Sequence, residues 1–191
     1  MSEIPLYEVN NIIGHEVLDD IRDVLDSGWL TLGPKTAEFE ETFAAIHETD
    51  EGVAVNSCTS ALYASLRALG IGEGDTVVVP AITFAATANV VRLLGGDVII
   101  CDVTETGNLD PKSLERILDD YDDVQTVIPV HLYGLPCDMH KIVEIAEKHD
   151  ISVVEDCAHA PGATLEEQPV GSFGDAGCFS FYATKNMTTG E

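Results

Sequence analysis

The chain has 191 residues, 45% of them hydrophobic, with 34 acids against 9 bases and a formal net charge of −25. That length supports a full hydrophobic core, and the charge repels phosphate backbones, which argues against nucleic acid as a partner. No apolar run reaches the roughly 20 residues that cross a bilayer, and Met1-Ser2-Glu3-Ile4-Pro5 lacks the basic start and apolar stretch of a secretory signal. The expectation is a cytoplasmic protein with no membrane partner.

The acids are spread along the chain, as at Asp19-Asp20, Glu40-Glu41, Asp119-Asp120, Asp122-Asp123 and Glu166-Glu167. This distribution reads as a halophilic surface whose self-repulsion is screened by concentrated salt, the alternative being an ordinary acidic protein. The cysteines (Cys58, Cys101, Cys137, Cys157 and Cys178) are odd in number and form no Cys-x-x-Cys pair. They read as small buried hydrophobes in a reducing compartment. His140 and His149 share a predicted helix but lie two and a half turns apart, so no metal-ligand spacing is present and no metal is expected.

In chain order, residues 16–27 carry Val17, Leu18, Ile21, Val24 and Leu25 at helical spacing, ended by Gly28. Gly33-Pro34 breaks regular structure, and Pro34 opens a second helix to about His47 that buries Phe39, Phe43 and Ile46. Short apolar runs then alternate with helical ones. Strands are predicted at 52–55, 76–79, 97–101, 124–130, 151–155 and 176–181. Helices are predicted at 60–69, 85–94, 111–118 with Asp110 as N-cap, and 139–149. Continuous Val/Ile strands suit a sheet covered on both faces, and alternating βα units imply a mostly parallel sheet with helices on both sides. The predicted organisation is an N-terminal helical segment over 1–50 and an α/β domain over 51–191.

In such sheets ligands bind beyond the carboxyl ends of the strands, and several motifs fall there. Asn56-Ser57-Cys58-Thr59-Ser60-Ala61 opens a helix whose free amides, with the hydroxyls of Thr59 and Ser60, suit a phosphate. Plain N-capping by Thr59 or Ser60 is the other reading. Gly70-x-Gly72-x-Gly74 resembles a dinucleotide loop but precedes a strand, so it is a turn. Phe84, at a strand-to-helix junction, can stack on a flat ring or simply fill the core. Asp156 ends a strand where it can hold a cationic ring nitrogen, and His159 can reach a phenolate-like oxygen. The bland readings are a cap and a structural histidine. Cys157 and His159 make a poor nucleophile–base pair at a separation of two. Lys185, past an apolar strand, can sit in an apolar pocket and attack a carbonyl, the bland reading being a surface lysine after a strand. Together these describe a pocket for pyridoxal phosphate.

The same stretches resemble the DegT-type nucleotide-sugar aminotransferases. The likeness runs through Asn56 to Leu62, Val79-Pro80-x-x-Thr83-Phe84-x-Ala86-Thr87-Ala88-Asn89 and Val130-His131-Leu132-Tyr133-Gly134. It continues in Val154-Glu155-Asp156-x-Ala158-His159-Ala160 and Phe179-Ser180-Phe181-x-x-x-Lys185-Asn186-x-x-x-Gly190-Glu191, and begins with Leu32-Gly33-Pro34-Lys35. The resemblance implies the large domain of the aspartate-aminotransferase fold, cut before the small C-terminal domain. It implies pyridoxal phosphate bound to Lys185, Asp156 at the pyridine nitrogen, Phe84 on the ring and His159 near the phenolic oxygen. Thr59, Ser60 and Ser180 would hold the phosphate. The implied reaction is amino transfer from glutamate to a nucleoside-diphosphate keto-sugar by a homodimer when full length; a related dehydratase branch has histidine in place of the lysine. The alternatives are a non-catalytic remnant that folds without turnover, and an aminotransferase with a different acceptor.

Overall fold

The computed structural model describes residues 14–189, the side chain of His15 excepted; Met1–Pro5 and the Gly190-Glu191 end of the last motif lie outside the described residues. Contacts divide the chain into two units, Met1–Ala45 with Asp50–Ala54 and Ile46–Thr49 with Val55–Glu191.

In the first unit, α1 (His15–Ser27) ends where Gly28 turns left-handed, at φ 74°, and returns its amide to Leu25 O. Val17, Leu18, Ile21 and Leu25 share an apolar face that is exposed in this chain. Helix α2 (Pro34–Ile46) starts on its proline, as expected. Phe39 and Phe43 stack at 5.6 Å. Ile46, expected inside, is 56% exposed, and Ala44 is the buried residue instead. The strand predicted at 52–55 does not form. The run has no regular structure and Val53 is 79% exposed. It pairs with no strand among the described residues, and the amide of Ala54 bonds Glu40 Oε1 at 2.8 Å. Apolar composition makes a strand only where another edge answers its hydrogen bonds.

The second unit is a five-stranded parallel sheet. Its strands are β1 (Thr76–Pro80), β2 (Asp97–Cys101), β3 (Val124–Val127), β4 (Ser152–Asp156) and, after a small hairpin of β5 (Thr164–Leu165) and β6 (Gln168–Pro169), β7 (Ala176–Cys178). The order is β2-β1-β3-β4-β7, every pair parallel. Between them run α3 (Cys58–Ala68), α4 (Ala85–Leu93), α5 (Pro111–Asp120) and α6 (Met139–His149). As predicted, Asp110 caps α5, accepting from the amide of Lys112.

The alternation of strand side chains sorts the core into two layers. Val78 and Val153 join Leu114, Leu118, Met139 and Ile142 of α5 and α6. Val77, Val79 and Val154 join Leu62, Leu66, Val90 and Val91 of α3 and α4 on the other face. All five residues of β1 are buried, which explains why its sequence shows no polar alternation. Strand β7 is shorter than the predicted 176–181, because the chain leaves the sheet after Cys178. Gly177 within it is required by packing, since a Cβ there would meet Gly171 Cα at 2.5 Å.

Candidate active site

Four chain segments leave the carboxyl ends of β1, β3, β4 and β7, and the start of α3 joins them. Strand β4 delivers Asp156, 4% exposed, on the face shared with α3 and α4. Its Oδ1 accepts the amide of Ala158 at 3.1 Å, and its Oδ2 accepts the Thr87 hydroxyl at 2.9 Å. The cap expected of Asp156 is therefore one short turn, with carboxylate lone pairs to spare. Phe84 is the N-cap residue of α4 and is 76% exposed. It is no core aromatic. It lies on the segment that leaves the carboxyl end of β1, one helical turn from Thr87.

Helix α3 begins at Cys58, two residues before the predicted start, and neither Thr59 nor Ser60 is its cap. Ser57 caps it, accepting the amide of Ser60 at 3.2 Å. Ser60 Oγ donates to Asn56 Oδ1 at 2.6 Å. The amides of Cys58 and Thr59 therefore have no hydrogen-bond partner among the described residues, and they open α3 as donors for an anion. Ser180 is buried, with its Oγ receiving the amide of Tyr182 at 3.5 Å.

Past β7 the chain turns, the amide of Lys185 bonding Tyr182 O at 2.8 Å, and Lys185 is half-buried. Two neighbouring groups register both its charge and that of Asp156. Burial chiefly pushes the Cys58 thiol up, Asp156 adds to that and Lys185 opposes it. Burial chiefly pulls the His159 imidazole down, Lys185 adds to that and Asp156 opposes it. Lys185 and Asp156 therefore both lie near Cys58, at the start of α3, and near His159, in the loop after β4. His159 itself is held by Tyr133, whose amide donates to Nδ1 at 3.3 Å and whose ring stacks on the imidazole at 5.8 Å. Nδ1 is thus the acceptor and Nε2 carries the proton of the neutral ring.

Sequence reasoning gave no role to Glu155 or His131, the fully buried pair beside the site. Glu155 Oε2 accepts His131 Nε2 at 3.0 Å and Gly171 N at 2.8 Å; Oε1 accepts Phe173 N at 2.8 Å and Gly174 N at 2.9 Å. His131 Nδ1 accepts the amide of Cys137 at 3.1 Å. Burial alone would raise the Glu155 carboxyl, but His131 and the amides of Gly171 and Gly174 outweigh it and hold it below its ordinary value. The signal was present: a charge inside a Val run has to be paired. His131, Glu155 and Cys157 place ligand atoms within 4.8 Å of one another. Both nitrogens and both oxygens are already bonded, and burial keeps the Cys157 thiol protonated, so the cluster serves to tie loops together.

A parallel α/β sheet with an amine, a carboxylate, an uncovered aromatic ring and an open helix start at its strand ends is the large domain of the aspartate-aminotransferase fold. The chain belongs to the DegT/DnrJ/EryC1/StrS aminotransferase family, whose model matches residues 11–191. It is 45% identical over 181 residues to the spore coat polysaccharide biosynthesis protein SpsC of Bacillus subtilis, covering 94% of this chain and 46% of that protein. Among solved structures it resembles the pyridoxal-phosphate form of the putative sugar aminotransferase Spr1654 from Streptococcus pneumoniae. There the TM-score is 0.92 and the identity 35%, over 98% of this chain and 51% of that one. It also resembles DesI in the presence of its TDP-sugar product, with a TM-score of 0.83 and 35% identity over 90% of this chain and 43% of that one. The chain spans about half the length of the curated relatives it matches.

Proposed function

We propose that this chain carries the cofactor site of a pyridoxal-phosphate-dependent aminotransferase that moves an amino group from glutamate to a keto-sugar on a nucleoside diphosphate. The observation that carries the reading is the buried Asp156 at the end of β4, pinned by the Thr87 hydroxyl and the Ala158 amide, with Lys185 on the segment that leaves the neighbouring strand β7. The donor set fits the cofactor. The amides of Cys58 and Thr59, with the hydroxyls of Thr59, Ser60 and Ser180, suit a phosphate. Phe84 offers a ring face, Asp156 an acceptor for a ring N–H, and the His159 Nε2 proton a donor for a phenolic oxygen. The polysaccharide role in the name of SpsC and the TDP-sugar of DesI support a sugar nucleotide as acceptor.

Bound there, pyridoxal phosphate supplies an aldehyde that bonds to amines and a ring that takes up the electrons of the donor's Cα–H bond. Lys185 Nζ would hold the aldehyde carbon and, once released, would serve as the base and acid for the proton of the donor's α-carbon. Asp156 orients the ring and keeps its nitrogen protonated, while Phe84 excludes water from one face. Residues 51–191 form the cofactor-binding domain of this reading, with 1–50 a helical segment. The assembled protein is a cytoplasmic homodimer with a salt-adapted surface.

Adding pyridoxal phosphate tests the reading. The expected result is a visible absorbance band that is absent in Lys185→Ala and bleaches with glutamate. No band in the parent chain overturns it in favour of a chain that folds without turnover.

A further inference from the structure

Thr87 is fully buried in the first turn of α4, a place where a threonine hydroxyl usually returns to its own backbone. Here it leaves the helix and donates to Asp156 Oδ2 at 2.9 Å. A hydroxyl has one proton. With that proton spent on the carboxylate, the 2.7 Å contact between the Thr83 and Thr87 hydroxyls has a single direction: Thr83 donates and Thr87 accepts. Chains of this kind polarise, so the inner bond is strengthened by the outer one. On the other side Asp156 Oδ1 is pinned by the amide of Ala158. The two pins fix the carboxylate plane, and each oxygen keeps a lone pair to spare. The same helical turn carries Phe84 at its N-cap, so one turn of α4 places the exposed ring and aims the acid.

We propose that Thr87, backed by Thr83, is a positioning residue that orients Asp156 toward the ring nitrogen of the cofactor. The inference rests on the pyridoxal-phosphate reading above and deepens it. Thr87 touches neither cofactor nor substrate; it acts only through Asp156. Its effect is therefore confined to ligands whose ring has a nitrogen for Asp156 to hold.

The test is equilibrium dialysis of the full chain with pyridoxal phosphate and with its 1-deaza analogue, in which C–H replaces the ring nitrogen. The parent chain is expected to prefer the nitrogen-bearing cofactor. Thr87→Val should weaken binding of pyridoxal phosphate on the order of 10-fold, the usual worth of a hydrogen bond to a charged group. It should leave the analogue within about 2-fold. Thr87→Ser should restore the preference, and Thr83→Val, which removes only the outer hydroxyl, should lose less. Equal weakening of both ligands by Thr87→Val would mean a general packing role, and unchanged binding of both would mean no role; either overturns the inference while the cofactor reading stands. If the parent chain binds neither ligand, the cofactor reading itself fails and the relay falls with it.

Discussion

Replacing Glu155 by glutamine changes almost no volume but exchanges one acceptor oxygen for a donating NH2. Four donors converge on this fully buried carboxylate, two on each oxygen. Whichever way the new amide points, two of them meet a donor instead of an acceptor. His131 cannot escape by moving its proton to Nδ1, because Nδ1 already accepts the amide of Cys137. Two buried donors left unpaired cost about 1–3 kcal/mol each, so Glu155→Gln should lose about 2–6 kcal/mol. For a chain of this size that is a fall in melting temperature of roughly 5–20 °C, read by circular dichroism at pH 7. The folded carboxyl lies below its ordinary value of 4.5, so the stability it contributes is complete above that pH. It is lost as pH falls through the depressed folded value. The gap between parent and variant should therefore narrow on acidification below 4.5. A loss under about 1 kcal/mol at pH 7, or a gap that persists in acid, would refute the reasoning.

Lys185→Ala should raise the titration midpoint of His159 in the cofactor-free protein, because the ammonium joins burial in holding that imidazole below 6.5. An NMR titration that finds the midpoint unmoved or lower would separate Lys185 from the site. With a formal net charge of −25, raising KCl from low to molar concentration should raise the melting temperature through screening; no rise would end the salt-adapted reading.

The parallel sheet was legible because its evidence is local. Runs such as Thr76–Pro80 and Ser152–Asp156 are apolar enough to be covered on both faces, and Asp110 and Gly28 mark helix ends by their own chemistry. The 52–55 run misled because a strand depends on an edge elsewhere, which composition does not encode. Ile46 misled because helical spacing names a face without saying what covers it. At the site, Lys185, Asp156 and Phe84 stood out by residue type at strand ends. The cap at Ser57 was missed by one turn of counting, since Ser57, Thr59 and Ser60 offer the same hydroxyl and only backbone angles choose among them. Thr87 and Glu155 escaped because their meaning lies in partners 69 and 24 residues away, Asp156 and His131.

Glu155 and Asp156 are chemical near-twins side by side on β4, yet the pleat sends one into the lock of loop amides and the other toward the cleft. A one-residue slip of this strand against β3 would flip both to the opposite faces, seating the shorter acid among the amides and drawing the longer one back along the strand to the place of Val154. The lock that holds Glu155 is thus also a gauge of alignment: only the native pairing satisfies four donors at once, and any chain that has closed it has already set its neighbour at the right depth.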